Sequence, residues 1–109
     1  MMARHTFKLQ IDFDANQVFA FCERWQIEEL AFFGSVLRED FHENSDVDVL
    51  VKILPAATWG LFEHVQMQDE LNDILGRKVD LVSRRAIEKS SNWLRKSEIL
   101  SQAKVFYEA

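Results

Sequence analysis

Side chains over residues 46–53 alternate with a period of two, with Val47, Val49 and Val51 on one side and Asp46, Asp48 and Leu50 on the other. That period of two is the signature of a β-strand. Residues 28–33, with the apolar run Leu30-Ala31-Phe32-Phe33, read as a second, buried strand, which Gly34 breaks. Residues 78–83 predict a third, in which Val79 and Leu81 point to the core and Asp80 points away with Lys78. Elsewhere the period lengthens to that of a helix. Asp14 is placed to cap a helix over residues 15–25, with Val18, Phe21, Cys22 and Trp25 facing inward. Thr58 opens a helix to about Leu75, with Phe62, Val65, Leu71, Ile74 and Leu75 as its core stripe and Gly76 just past its end. A last helix is expected from about Trp93 to Ala103, then a short strand at Val105-Phe106-Tyr107. Residues 6–12, with Phe7, Leu9 and Ile11, form a short strand or an extended arm. Ser35 caps a short helix, residues 39–45 are a polar loop, and Arg84, Arg85 and Lys89 form a basic patch before the last helix. Strands interleaved with helices predict an α/β or α+β sheet domain.

Composition narrows the class. At 109 residues one domain, 1–109, is expected, and 48% hydrophobic residues with nine Phe and three Trp suffice for one core. Asp and Glu outnumber Lys and Arg 18 to 13, a net charge of −5. That balance argues against direct nucleic-acid binding, which basic surface drives, and fits a metal–nucleotide site or a basic protein partner. The single cysteine, Cys22, cannot form an intrachain disulfide, and its helical neighbours make it a buried thiol. No apolar run approaches the ~18 residues of a membrane span, and no signal peptide opens the chain, so a soluble cytoplasmic protein is expected.

Candidate chemistry lies between the first two strands. Gly34-Ser35 is followed by ten residues and then Asp46-Val47-Asp48. Two aspartates two apart on a strand leave the same face, with Cα atoms roughly 6–7 Å apart, and can converge on divalent ions. Mg²⁺ prefers a few carboxylates plus substrate phosphate oxygens to a full protein cage. Two such ions would clamp the attacking and leaving oxygens of an in-line displacement. Asp80 supplies a third carboxylate from the neighbouring strand. Glycine lets backbone approach a phosphate, and Ser35 at a helix start adds a hydroxyl and free N–H groups. Arg38, one helical turn on, either reaches triphosphate oxygens or pairs with Glu39, Asp40 or Glu43. Ser45 joins the candidate nucleotide-binding residues, although shaping the turn into the strand is the simpler role. His5, His42 and His64 lack metal-ligand spacing, and Tyr107 reads as a packed aromatic.

The block Phe33-Gly-Ser-Val-Leu-Arg-Glu-Asp-Phe-His-Glu-Asn-Ser-Asp-Val-Asp-Val-Leu-Val51 resembles the signature of the minimal nucleotidyltransferases, the MNT proteins of the polymerase-beta-like nucleotidyltransferase superfamily. Gly60-Leu-Phe, Gly76-Arg-Lys-Val-Asp-Leu-Val-Ser83 and Ile99-Leu-Ser-Gln-Ala-Lys-Val-Phe-Tyr107 extend the resemblance from about residue 28 to residue 107 and beyond. The resemblance implies a small mixed β-sheet flanked by helices. It implies phosphate binding by Gly34 and Ser35, Mg²⁺ held by Asp46 and Asp48, and Asp80 as the carboxylate that helps activate the attacking hydroxyl. It implies ATP as substrate and a HEPN-domain ribonuclease toxin as partner. The chain would then be the antitoxin that moves AMP onto a toxin tyrosine. Alternatives are a non-catalytic antitoxin that acts by binding, and a small-molecule nucleotidyltransferase. The latter is disfavoured because nothing in the chain is long enough to be the second domain that builds its acceptor site. In one departure, Glu39 stands where many relatives carry glycine after the arginine.

Overall fold

In a computed structural model, residues 2–3 and 7–109 are described, with side chains from Phe7 onward. Five strands form one mixed sheet: β1 (Met2–Ala3), β2 (Ile27–Phe33), β3 (Val47–Ile53), β4 (Val79–Ser83) and β5 (Lys104–Glu108), in the order β1-β5-β2-β3-β4. All neighbours are antiparallel except β3 and β4. A parallel pair needs a long crossover, and here it is the helix α2 (Leu61–Leu75). The other helices are α1 (Ala15–Arg24), α3 (Arg84–Glu88) and α4 (Trp93–Gln102).

The sheet is covered on both faces. On one, α1 and α2 bring Val18, Phe21, Cys22, Met67, Leu71 and Leu75 against Val47, Val49 and Val51. On the other, Ile87 of α3 and Ile99 of α4 pack on Ala31, Phe33 and Leu50. Double coverage explains why residues 30–33 of β2 read as a continuous apolar run. Burial raises the Cys22 thiol far above its ordinary range, so it stays neutral and is poorly reactive.

The expected elements are present, with corrections. β3 begins at Val47, which leaves Asp46 just outside the strand. α2 begins three residues later than Thr58. Gly60 precedes it, with its N–H donating to Glu63 Oε1 at 2.8 Å. Its inward stripe is Met67, Leu71 and Leu75, while Phe62 and Val65 are exposed. Those two stand on the same face as each other, turned away from the sheet, so periodicity alone assigned the first two turns to the wrong side. Gly76 does end the helix, at φ +65°. Arg84 and Arg85 of the basic patch start α3, capped by Ser83 Oγ, which accepts from the Ala86 N–H, and Lys89 follows its end. Residues 7–13 form no strand. They lie as an arm whose Phe7, Leu9, Ile11 and Phe13 pack on the core. Thr6 and His5 lie outside the described residues. Tyr107 is buried in β5.

Asp14 caps α1 as expected, accepting from the Asn16 N–H at 2.9 Å. Asp14→Ala should lower unfolding free energy by about 1 kcal/mol, read as a shifted urea midpoint with unchanged slope. An unshifted midpoint would mean that the packed arm before it, not the cap, sets the start of α1.

Candidate active site

The site forms where β2 ends. Gly34 turns the chain at φ +76° into a 3-10 turn over Gly34–Leu37. Buried Val36 anchors that turn, and its carbonyl accepts from the Gln10 N–H of the arm at 2.9 Å. Ser35 lies inside the turn, and no side chain caps it, so the capping role expected for Ser35 is not seen. The strand register then aligns the chemistry. Phe33 is opposite Asp48 across the β2–β3 ladder, and Asp48 is opposite Asp80 across the β3–β4 ladder. Thirty-two residues of sequence thus separate two carboxylates that stand side by side.

Glycine at position 34 has a second cause. A Cβ there would sit 2.3 Å from Asp48 Oδ2. The turn is therefore glycine both for its positive φ and because the Asp48 carboxylate lies directly against it.

A cavity of about 360 Å³ opens over this row. Gly34, Ser35 and Arg38 line it from the turn, and Asp48 and Asp80 from the sheet. Its far wall is α4, which presents Arg95, Glu98 and Gln102 above Ile99. Those three polar residues were not expected from the sequence. Their spacing of three and four, shared with buried Ile99, is the signal that marks one helix face. Asp46 lies outside the cavity lining but close enough to act on it. Burial, then the charges of Asp80 and Asp46, push the Asp48 carboxyl above its usual range, and Arg38 opposes them.

Of the two roles expected for Arg38, the ion pair is present. The residue lines the cavity while its Nε donates to Asp40 Oδ1 at 3.1 Å. Such an exposed pair contributes only about 0.2–1 kcal/mol, so an anionic ligand can displace it. Glu39 needs no glycine, because Gln26 is the one non-glycine among the described residues with positive φ. Ser45 is placed in the loop, outside the cavity lining. Its Oγ accepts from the His42 N–H at 3.1 Å, and its carbonyl accepts from Arg77. His64 Nε2 is 2.8 Å from the Leu81 carbonyl. Arg84 is tied to Glu29 and Glu88.

Among the described residues no three His, Cys, Asp or Glu side chains form a ready cage for a metal. The donor set is instead a facing pair with one carboxylate nearby. Mg²⁺ fits that set, because it is held by one or two carboxylates plus substrate phosphates.

A mixed sheet with a Gly-Ser turn and paired carboxylates at its strand ends defines a nucleotidyl-transfer class of site. Residues 16–106 match the nucleotidyltransferase domain family, and the chain belongs to it. It is 34% identical over 65 residues to the protein adenylyltransferase MntA of Thermococcus cleftensis. The matched stretch is 60% of this chain and 64% of that relative, so the chain spans just under two thirds of the relative's length. The fold superposes on a solved candidate minimal nucleotidyltransferase with a TM-score of 0.64 and 31% identity, covering 83% of this chain and 86% of that one. It also superposes on a chain from the complex of a tri-AMPylated Shewanella oneidensis HEPN toxin with an MNT antitoxin. There the TM-score is 0.60 at 22% identity, covering 87% of this chain and 70% of the other, a likeness of fold. The small mixed sheet flanked by helices is thus the minimal nucleotidyltransferase fold. No helix among the described residues is long and apolar enough to cross a membrane.

Proposed function

We propose that this chain is an antitoxin-type protein adenylyltransferase, which moves AMP from Mg·ATP to a tyrosine hydroxyl of a HEPN-domain ribonuclease toxin. The observation that carries this reading is Asp48 and Asp80 side by side on β3 and β4, with the Gly34 turn after β2 lying directly against Asp48. The names of the relatives, a protein adenylyltransferase and an antitoxin beside an AMPylated toxin, support it.

In this reading Asp48, with Asp46 beside it, would hold Mg²⁺, which would supply positive charge to the phosphates when bound. The backbone of Gly34 and the hydroxyl of Ser35 receive the phosphate chain, and Arg38 exchanges Asp40 for a phosphate oxygen. The toxin hydroxyl oxygen forms a bond to the α-phosphorus. The bond from that phosphorus to the oxygen bridging to the β-phosphate breaks, and pyrophosphate leaves with that electron pair. The hydroxyl proton passes to Asp80, which is exposed at the cavity and free to take it. The single domain and a cytoplasmic location belong to the same proposal.

The test is incubation with ATP, Mg²⁺ and the protein product of the neighbouring gene, taken as the candidate toxin, followed by intact-mass spectrometry. The toxin should gain whole AMP units. Asp80→Asn should keep ATP and toxin binding but slow transfer by about 10²-fold or more, the scale of a lost general base. An unmodified toxin that is nonetheless silenced, by wild type and Asp80→Asn alike, would leave the antitoxin acting by contact alone.

A further inference from the structure

A second cavity, about 630 Å³, is separate from the carboxylate site. It lies at the other ends of β3 and β4, below the first turn of α2 and against α3, with Val51, Met67, Leu81 and Ile87 among its walls. Arg95 lines both cavities, so the two adjoin. Large apolar side chains at the starts of α2 and α4 are left in solvent, and one of them, Leu61, lines this cavity. Leu61 and Phe62 of α2 are 81% and 72% exposed, and Trp93 and Leu94 of α4 are 69% and 66% exposed. Trp93 and Leu94 directly precede Arg95 of the cavity wall, and large apolar side chains left in solvent next to a cavity mark an interaction surface.

Charge says what kind of partner fits. Residues 84–96 hold five of the chain's 13 Lys and Arg but one of its 18 Asp and Glu. That segment carries +4 in a chain of −5, and the remainder carries −9. Arg84 is engaged by Glu29 and Glu88, and Lys96 by the Glu88 carbonyl. The side chains of Arg85, Lys89 and Arg95 have no partner among the described residues. A second copy of the chain is a poor occupant, because a two-fold contact sets the same basic segment against itself.

We propose that this apolar, basic face is where the HEPN-domain toxin docks, through an amphipathic helix whose apolar stripe is flanked by acidic side chains. The helix-in-groove mode uses anchors of that kind. The proposal rests on the adenylyltransferase reading for its partner and goes beyond it by assigning the surface. It reverses the expectation from net charge: the chain is acidic, yet the face beside its active site selects an acidic partner. Docking there lays the toxin against Arg95, which brings a neighbouring hydroxyl to Asp48 and Asp80.

The experiment uses the full chain, the same toxin and two double variants, Trp93→Ser with Leu94→Ser and Arg85→Glu with Lys89→Glu. All four side chains lie outside the carboxylate cavity, and circular dichroism melting confirms that each variant folds. Should the first variant melt early, Leu61→Ser replaces it, at the cavity wall. The apolar variant should weaken toxin binding by about 30-fold or more, the scale of an interface hot spot. The charge variant should slow association and flatten its salt dependence. Both should bind Mg·ATP as wild type does. If binding falls as expected but wild type transfers no AMP, the surface stands and the transferase reading falls. Wild-type toxin affinity in both variants would overturn the proposal. So would a dimer of the chain alone that Trp93→Ser with Leu94→Ser dissolves.

Discussion

Asp48→Asn is expected to abolish AMP transfer and, without metal or nucleotide, to raise the melting temperature. The two effects share one cause. Asp48 is half-buried and faces Asp80 and Asp46, so its carboxyl is held above the usual range. A carboxyl whose folded pKa is raised is disfavoured in its charged form by the fold. At neutral pH the ionised group therefore subtracts from stability, and the loss is relieved as pH falls through the folded pKa. Asparagine keeps the size and removes the charge. Wild type should thus gain on the Asn variant in relative stability as pH is lowered from 7 into the carboxylate range. Transfer depends on the same charge. Metal-held phosphate charge contributes several kcal/mol in the transition state, so its loss should slow transfer by about 10³-fold or more. Thermal scans in EDTA from pH 7 to 4, with single-turnover assays, check both halves. A variant that melts lower than wild type at pH 7 would show that Asp48 is stabilised by its surroundings, contrary to this account. Mg·ATP should raise the melting temperature of wild type, by mass action on the native state, and should do so far less for Asp48→Asn.

Gly34→Ala should cost both stability and activity. A non-glycine residue held in the left-handed region is disfavoured by about 1–2 kcal/mol. Here the added methyl also meets Asp48 Oδ2 at 2.3 Å, so the carboxylate or the turn must shift. A displacement on the order of 1 Å at a reacting centre can slow transfer by about 10²-fold. Denaturant unfolding and the mass-spectrometric transfer assay measure the two losses separately. The informative companion is Gly76→Ala. Gly76 has a similar φ, +65°, but a Cβ there meets nothing within 4 Å. It should show the backbone loss and retain transfer. Equal transfer losses in both would mean that strain, and not the approach to Asp48, explains the effect.

Local pattern carried much of the protein. Alternation marked β3, the apolar run marked β2, Asp14 marked the start of α1 and Gly76 the end of α2, because each follows from backbone geometry or capping within a few residues. The Gly-Ser turn and Asp46, Asp48 and Asp80 were legible from spacing and family resemblance. Tertiary structure decided the rest. Phe62 and Val65 fit an apolar stripe as well as Met67 does, and only the placement of α2 on the sheet left them in solvent. The pairing of Asp48 with Asp80 depends on the parallel register of β3 and β4, set by a crossover helix between them. Arg95, Glu98 and Gln102 entered the site because α4 packs Ile99 onto the sheet's second face. The reason is one of range: sequence neighbours determine turns, caps and periodicity, whereas which face meets which is settled by packing among segments far apart in the chain.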